Sequence, residues 1–350
     1  MTTPRVSIIM PMHNNRAYVR TAVESMLNQS FGDFEFIIVD DASTDDSASI
    51  VRSFADSRIR LVTNSENRGV AASLNIGIDS AKGEYLARMD ADDVSMPDRL
   101  FRQVAFLDAN RGVGICGSWI LCFNEDRSHL FRYPTGADCV KAFLLLGNPL
   151  AHPSVCMRRD LLRNSGLRYN EETAAAQDYE FWTRCAAFTE MDNLAVPLLR
   201  YRVHSGSVTQ SRGSKSDEYA TAVVASQLGK LSATFSAEEI SFHRRVGHGA
   251  GVGTREELDR VEEWLGKLRT LNAGQRIWPQ RGLEEALGFV WFRVCQNSTG
   301  LGLWAWLRYR SSGLSQFHRL AVHERCLFGL GCLKGAVLPH PPTGNLDVWN

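Results

Sequence analysis

Short apolar runs alternate with helically spaced ones through the first half of the chain. Val6–Met10 (VSIIM) suits a strand buried on both faces. Ala17–Gln29 then sets Val19, Val23, Met26 and Leu27 at helical spacing. Phe34–Val39 predicts a second strand, Asp45–Phe54 a helix, Ile59–Val62 a third strand, Gly69–Ser80 a helix and Glu84–Arg88 a fourth strand. This β-α-β-α-β-α-β order predicts a parallel sheet covered by helices, with ligands at the carboxyl ends of its strands. The polar residues collect at those ends: Pro11, His13 and Asn14, then Asp40 and Asp41, then Asp90-Ala91-Asp92-Asp93. A helix over Asp98–Asn110 follows Pro97. Strands are expected at Val113–Trp119, Leu121–Phe123 and Leu198–Val203, and helices at Asp160–Ser165 and Asp178–Phe188. Residues 130–150 carry no readable period. The polar stretch Gln210–Ser216 reads as a linker, and the chain beyond it as helices. Ser236–Glu239 and Thr254–Glu257 both have the form of a capping box.

Composition narrows the classes. The 350 residues suggest two domains, or one large domain with an appendage. The hydrophobic share of 44% and charged share of 22% exclude wholesale disorder. Lys+Arg and Asp+Glu both number 39, and a neutral chain argues against a nucleic-acid binder. The eight cysteines form no C-x-x-C pair, so they read as buried free thiols of a reducing compartment. No basic n-region and apolar h-region open the chain, and no apolar run is long enough to span a bilayer, so the expected location is cytoplasmic.

Three clusters carry chemistry. Asp90, Asp92 and Asp93 follow an apolar strand, and carboxylates so close repel one another unless a cation sits among them. Mg²⁺ or Mn²⁺ takes such hard oxygen ligands together with substrate phosphates; the plain alternative is a solvated acidic turn. In Val39-Asp40-Asp41-Ala42-Ser43-Thr44-Asp45-Asp46, a carboxylate at the strand end suits a nucleobase or ribose, and Asp45 and Asp46 suit a helix cap. Gly69 opens a helix beside Arg68, an arrangement that fits ribose or phosphate but is common without either. G-x-G-x-x-G after the first strand, the P-loop motif and G-x-S-x-G are all absent, which disfavours an NAD site, a P-loop NTPase and an α/β-hydrolase.

Taken together, VSIIMPMHN (6–14), VDDASTDD (39–46), ENRGVAASLN (66–75) and GEYLARMDADD (83–93) resemble a family 2 glycosyltransferase with the GT-A fold. MPDRL (96–100), AHPSVCMRR (151–159), AAQDYEFWTR (175–184) and YRVHSGSVT (201–209) extend the likeness to about residue 210. The resemblance implies a GT-A catalytic domain over 1–212, a nucleotide-sugar donor (most often a UDP-sugar) and inversion at the anomeric carbon. It implies Pro11, His13, Asn14, Asp40, Asp41, Arg68 and Asp90 as nucleotide contacts, and Asp92, Asp93 and His204 about Mn²⁺ or Mg²⁺. Asp178 then takes the place of the catalytic base, where Gln177 departs from the family's usual Glu. His152 falls near the expected acceptor side, with loop packing as the alternative. A sugar-phosphate nucleotidyltransferase and a non-catalytic nucleotide-sugar binding protein are the competing readings. The first lacks its Arg-containing glycine-rich loop after strand one; the second leaves Asp92, Asp93 and Asp178 idle. The resemblance points to cell-surface glycan assembly on a glycan or lipid-linked acceptor.

Residues 213–350 lie outside the resemblance and read as a helical region. Between Ala286 and Leu338 six Lys/Arg face one acid, with Trp291, Trp304 and Trp306 interleaved. That pattern suits peripheral contact with a membrane surface through 286–338, or else a helical domain that packs its own tryptophans.

Overall fold

A computed structural model describes residues 3–173, 176–204 and 213–337; for 213–217, 323 and 335–337 it describes the backbone alone. The chain divides into two compact units, residues 1–137 with 148–219, and residues 138–147 with 220–350.

The first unit is a nine-stranded mixed sheet flanked by helices. Its leading half follows the apolar rhythm: β1 (Val6–Met12), α1 (Val19–Leu27), β2 (Phe34–Asp40), α2 (Ser47–Arg52), β3 (Ile59–Thr63), α3 (Gly69–Ser80) and β4 (Tyr85–Arg88). β1 is buried along its whole length, as a strand covered on both faces must be. It pairs in parallel with β2 on one side and β4 on the other, and β2 pairs in parallel with β3. α3 lies close on β1: a Cβ at Gly77 would stand 2.3 Å from Ile9 Cγ2, so only glycine fits there.

Beyond β4 the chain leaves the parallel pattern. β5 (Val94–Ser95), α4 (Arg99–Ala109), β6 (Val113–Phe123), β7 (Ser128–Phe131), β8 (Cys156–Arg158), α6 (Arg159–Ser165), α7 (Gln177–Cys185) and β9 (Glu190–Arg202) complete the unit's elements, while α5 (Ala137–Phe143), between β7 and β8 in the chain, falls almost wholly in the second unit. The order across the sheet is β3-β2-β1-β4-β8-β6-β9-β5, with β7 paired to β6. β8 runs antiparallel to β4 and β6, and β5 antiparallel to β9. The two strands expected at 113–119 and 121–123 are one continuous strand. The strand expected at 198–203 begins eight residues earlier, at Glu190. Pro197 hid that start, and the strand accommodates it with register shifts against β6 around Trp119.

The second unit is helical: α8 (Gly213–Gly229), which begins in the first unit, α9 (Ala237–Gly247), α10 (Arg255–Gln275), α11 (Gln280–Asn297), α12 (Leu303–Ser311) and α13 (Val322–Val337). Ser236 caps α9 through a full capping box. At α10 the box is displaced: Thr254 accepts from the Glu257 amide, and the Glu257 carboxylate accepts from Gly253 rather than from the cap. The linker expected at 210–216 lies outside the described residues up to 212 and is helical from Gly213. The described cysteines form no disulfide; seven are buried and Cys326 is exposed.

Candidate functional site

The carboxyl ends of β1, β2 and β4 hold most of the residues singled out from sequence. After β1 the backbone turns through Asn14 at φ 53°, and after β2 through Ala42 at φ 56°. The two turns interlock. Asn14 N–H donates to Ser43 Oγ, and Asn14 Oδ1 accepts from the Thr44 amide at 2.8 Å. His13 Nδ1–H donates to the Asp41 carbonyl at 2.7 Å, which leaves Nε2 as the acceptor beside Asn14. Pro11 sits within β1, opposite Val39 of β2.

Asp40 and Asp41 are both buried. Asp40 Oδ1 accepts from the Ser43 amide. Asp41 binds the start of α3: Oδ1 accepts from the Arg68 amide at 2.9 Å and from Asn64 at 2.7 Å, and Oδ2 from the Gly69 amide at 2.8 Å. A carboxylate over the exposed amides of a helix start gains both hydrogen bonds and the favourable end of the helix dipole. Gly69, at φ 86°, makes the turn that aims its amide there. The Arg68 guanidinium is half exposed and lies 3.3 Å from Glu171. Asp45 caps α2, as expected from sequence, accepting from the Ser47 amide at 2.9 Å. Asp46 makes no side-chain cap bond.

At the end of β4, one ligand atom each from Asp90, Asp92 and Asp93 falls within 4.8 Å of the others. Asp90 is balanced by Arg88, whose buried guanidinium lies 2.5 Å away. Burial still outweighs that partner and, with the neighbouring charge of Asp92, pushes Asp90 up to about 6. Asp93 is 1% exposed. Its Oδ1 accepts from the Arg202 amide at 2.8 Å, and its Oδ2 is buried with no hydrogen-bond partner. Burial, then Asp92 and Asp90, raise its carboxyl well above the usual range. An orphaned carboxylate oxygen facing two other acids is costly in a protein interior, and a divalent cation satisfies all three groups at once. The residues present therefore fit the Mn²⁺ or Mg²⁺ expected from sequence.

The last strand closes over this cluster. Arg202 Nε donates to the Asp92 carbonyl at 2.8 Å. His204 Nε2 lies 3.0 Å from Asp92 Oδ2, and its ring meets Tyr18 at 4.8 Å. Asp92 and His204 are thus hydrogen-bonding neighbours. The remainder of the YRVHSGSVT motif, from Ser205, lies outside the described residues, as do 174 and 175 of AAQDYEFWTR.

Asp178 stands in the first turn of α7, two residues after Ala176 at φ 57°. Its Oδ2 accepts from Asn148 Nδ2 at 2.7 Å and its Oδ1 from the Tyr179 amide at 2.8 Å. Burial raises its carboxyl, and these two bonds pull it back. Its charge also raises Asp90, as the smallest of the causes at that carboxyl. His152, by contrast, is buried in a 3₁₀ turn, hydrogen-bonded to Tyr169 Oη at 3.0 Å and packed on Trp182. Burial holds it well below the usual histidine range. Arg88, Asn148 and Arg202 were missed from sequence. Each is an ordinary polar residue in its local window, and its partners stand up to 110 positions away.

Residues 7–158 match the model of glycosyl transferase family 2. The uncharacterized glycosyltransferase MJ1057 of Methanocaldococcus jannaschii is 31% identical over 227 residues, which cover 63% of this chain and 78% of that protein. The chain belongs to glycosyl transferase family 2. Another relative of this family 2 chain is the O-antigen biosynthesis glycosyltransferase WbnJ of Escherichia coli, 31% identical over 219 residues, 59% of this chain and 82% of that one. The fold is that of the S. aureus protein TarS, residues 1–349, solved in complex with UDP-GlcNAc. The TM-score is 0.53 at 18% identity, over 95% of this chain and 92% of that one. The family 2 transferase is therefore built on the GT-A sheet, followed by a helical region.

Proposed function

We propose that this family 2 enzyme is an inverting, metal-dependent hexosyltransferase that moves a sugar from a nucleoside-diphosphate sugar to an acceptor hydroxyl. UDP-sugars are the first donors to test, since TarS is solved with UDP and UDP-GlcNAc. The name of WbnJ favours a glycan or lipid-linked acceptor in cell-surface polysaccharide assembly. The observation that carries the reading is the Asp90, Asp92 and Asp93 cluster with its orphaned Asp93 Oδ2, together with the buried Asp178 hydrogen-bonded to Asn148. A base and a cation-binding acidic cluster are what displacement at a sugar carbon needs.

In this reading residues 1–212 form the catalytic domain. The turns of His13 and Asn14 and the strand ends of Pro11, Asp40 and Asp41 receive the nucleoside. Asp41 Oδ2 holds one protein donor and keeps a lone pair for a nucleobase N–H. Arg68 offers its guanidinium to the diphosphate, and Asp90 lies towards the ribose. Asp92, Asp93 and His204 would hold Mn²⁺ or Mg²⁺, which when bound supplies Lewis-acid stabilisation of the leaving diphosphate. Asp178 accepts the proton of the acceptor hydroxyl as that oxygen attacks the anomeric carbon from the face opposite the leaving group. With one base and no covalent nucleophile, the single displacement inverts configuration.

The test is release of nucleoside diphosphate from a panel of nucleotide sugars with Mn²⁺ and candidate acceptors. Asp178→Asn should lower kcat by about 10²–10⁴-fold and leave UDP affinity unchanged. Asp93→Asn should abolish the Mn²⁺ dependence of UDP binding in calorimetry. Full turnover in Asp178→Asn, or release of pyrophosphate in place of nucleoside diphosphate, would refute the assignment.

A further inference from the structure

Ten large apolar side chains stand exposed among the described residues, and six of them fall between Leu303 and Leu333. They are Leu303 (47%), Leu307 (61%), Val322 (77%), Leu327 (62%), Leu330 (54%) and Leu333 (50%). On α13, at 100° per residue, Val322, Leu330 and Leu333 project within about 80° of arc, and Leu327 falls beside them. The opposite side of α13 is spent on packing: Phe328 and Cys332 are buried, and Phe328 meets Trp306 at 5.1 Å. On α12, Leu303, Leu307 and Arg310 lie at i, i+4 and i+7, on one face. The apolar stripe of α13 runs about 16 Å along its axis.

Exposed cations stand on these same two helices and on the chain between them. Arg310, Arg319, Arg325 and Lys334 are all exposed. Arg308 is already engaged by Asp259 and Glu262. The window from 286 to 338 holds six Lys/Arg and one acid in a chain whose net charge is zero. The tryptophans, which suggested a membrane belt from sequence, do not form one. Trp291 is fully buried, Trp306 packs on Phe328, and Trp304 lies under the Arg255 guanidinium at 5.4 Å. The leucines occupy the exposed positions instead.

We propose that the exposed faces of α12 and α13 dock on an anionic phospholipid surface. Leucines enter the boundary between headgroups and acyl chains, and the exposed cations meet lipid phosphates. A second copy of the chain fits less well, because a two-fold contact brings the same cations together. No described helix is long and apolar enough to cross a bilayer, so the contact lies along the surface. Docking of this kind is independent of the sugar-transfer reading.

Flotation of the full chain with vesicles separates the outcomes. The unmodified protein should float with about three parts phosphatidylcholine to one of phosphatidylglycerol, and not with phosphatidylcholine alone. Because the leucines are exposed, Leu327→Ser, Leu330→Ser and Leu333→Ser combined should fold normally by circular dichroism and reduce partitioning by about tenfold or more. Arg310→Gln, Arg325→Gln and Lys334→Gln should each weaken binding by about fivefold, and about 1 M salt should do the same to the unmodified chain. Failure to float, or flotation indifferent to the leucine substitutions, overturns the proposal. So does a dimer in gel filtration that the leucine substitutions abolish, since it assigns the face to a second copy. Release of nucleoside diphosphate onto a soluble acceptor should be unchanged in all these variants, so loss of membrane docking and loss of catalysis are read separately.

Discussion

Asn148 shows how much one side chain decides in a buried polar site. Its Oδ1 accepts from the Leu150 amide, which fixes the amide orientation and turns Nδ2 towards Asp178. That bond favours the ionised carboxylate against the raising effect of burial. Removing it favours the protonated form, in which Asp178 cannot accept a proton. Asn148→Ala should therefore move the acidic limb of the kcat/KM profile to higher pH, with UDP affinity unchanged. A pH profile superimposable on that of the unmodified enzyme would show that the bond does no such work. The sequence revealed the acids and concealed their supports. Asp90, Asp92, Asp93 and Asp178 stand out because clustered or motif-placed carboxylates are unusual in local composition. Asn148 and Arg202 become visible only when the fold brings distant segments together, and Arg88, two residues from Asp90, only when its burial is known. Asp41 was legible as a site residue, whereas its capping of α3 depends on Asn64, Arg68 and Gly69 folding back onto it.

At the scale of elements, the amphipathic and apolar periods found nearly every helix and strand up to β4. Their ends moved by one or two residues: α1 is shorter than its apolar period, and α2 starts at Ser47 because Asp45 is used as its cap. The pattern failed where tertiary pairing overrides it. β7 is exposed at three of its four residues and carries no alternation to read. β9 carries a proline, Pro197, in its middle. α3 illustrates a different dependence, because its first amides are satisfied from outside the helix. Asp41→Ala removes a carboxylate that receives three donors and should cost about 1–2 kcal/mol, read as a lower midpoint in chemical denaturation. A midpoint equal to that of the unmodified protein would mean that water replaces the cap at no cost.

Over the whole molecule, the two units differ in what holds them. The second is pinned by a buried His243, whose Nε2–H donates to the Leu145 carbonyl at 2.8 Å and whose Nδ1 accepts from Trp264 at 3.1 Å. Both ring nitrogens are used by the neutral form. Burial accordingly lowers this histidine to about 4. The unfolded chain takes up a proton below about 6.5, and the native one only near 4. The stability this group contributes is thus whole above pH 6.5 and lost as the pH falls towards 4, by about 3 kcal/mol across that window. Buried His152 acts in the same direction. The denaturation midpoint should fall from pH 7 to pH 5, and less steeply in His243→Gln; equal slopes would contradict this.

The same bond spans 98 positions, because residues 138–147 belong with a unit whose remainder starts at 220. Val140, Phe143, Leu144, Leu145 and Leu146, all buried in the finished protein, leave the ribosome long before the helices that complete their unit. At about 5–20 residues per second, that segment waits roughly 5–20 seconds for His243. A nascent chain halted in this interval would present a greasy, unmatched helix to the cell's chaperones, while the rest of the first unit is still being made.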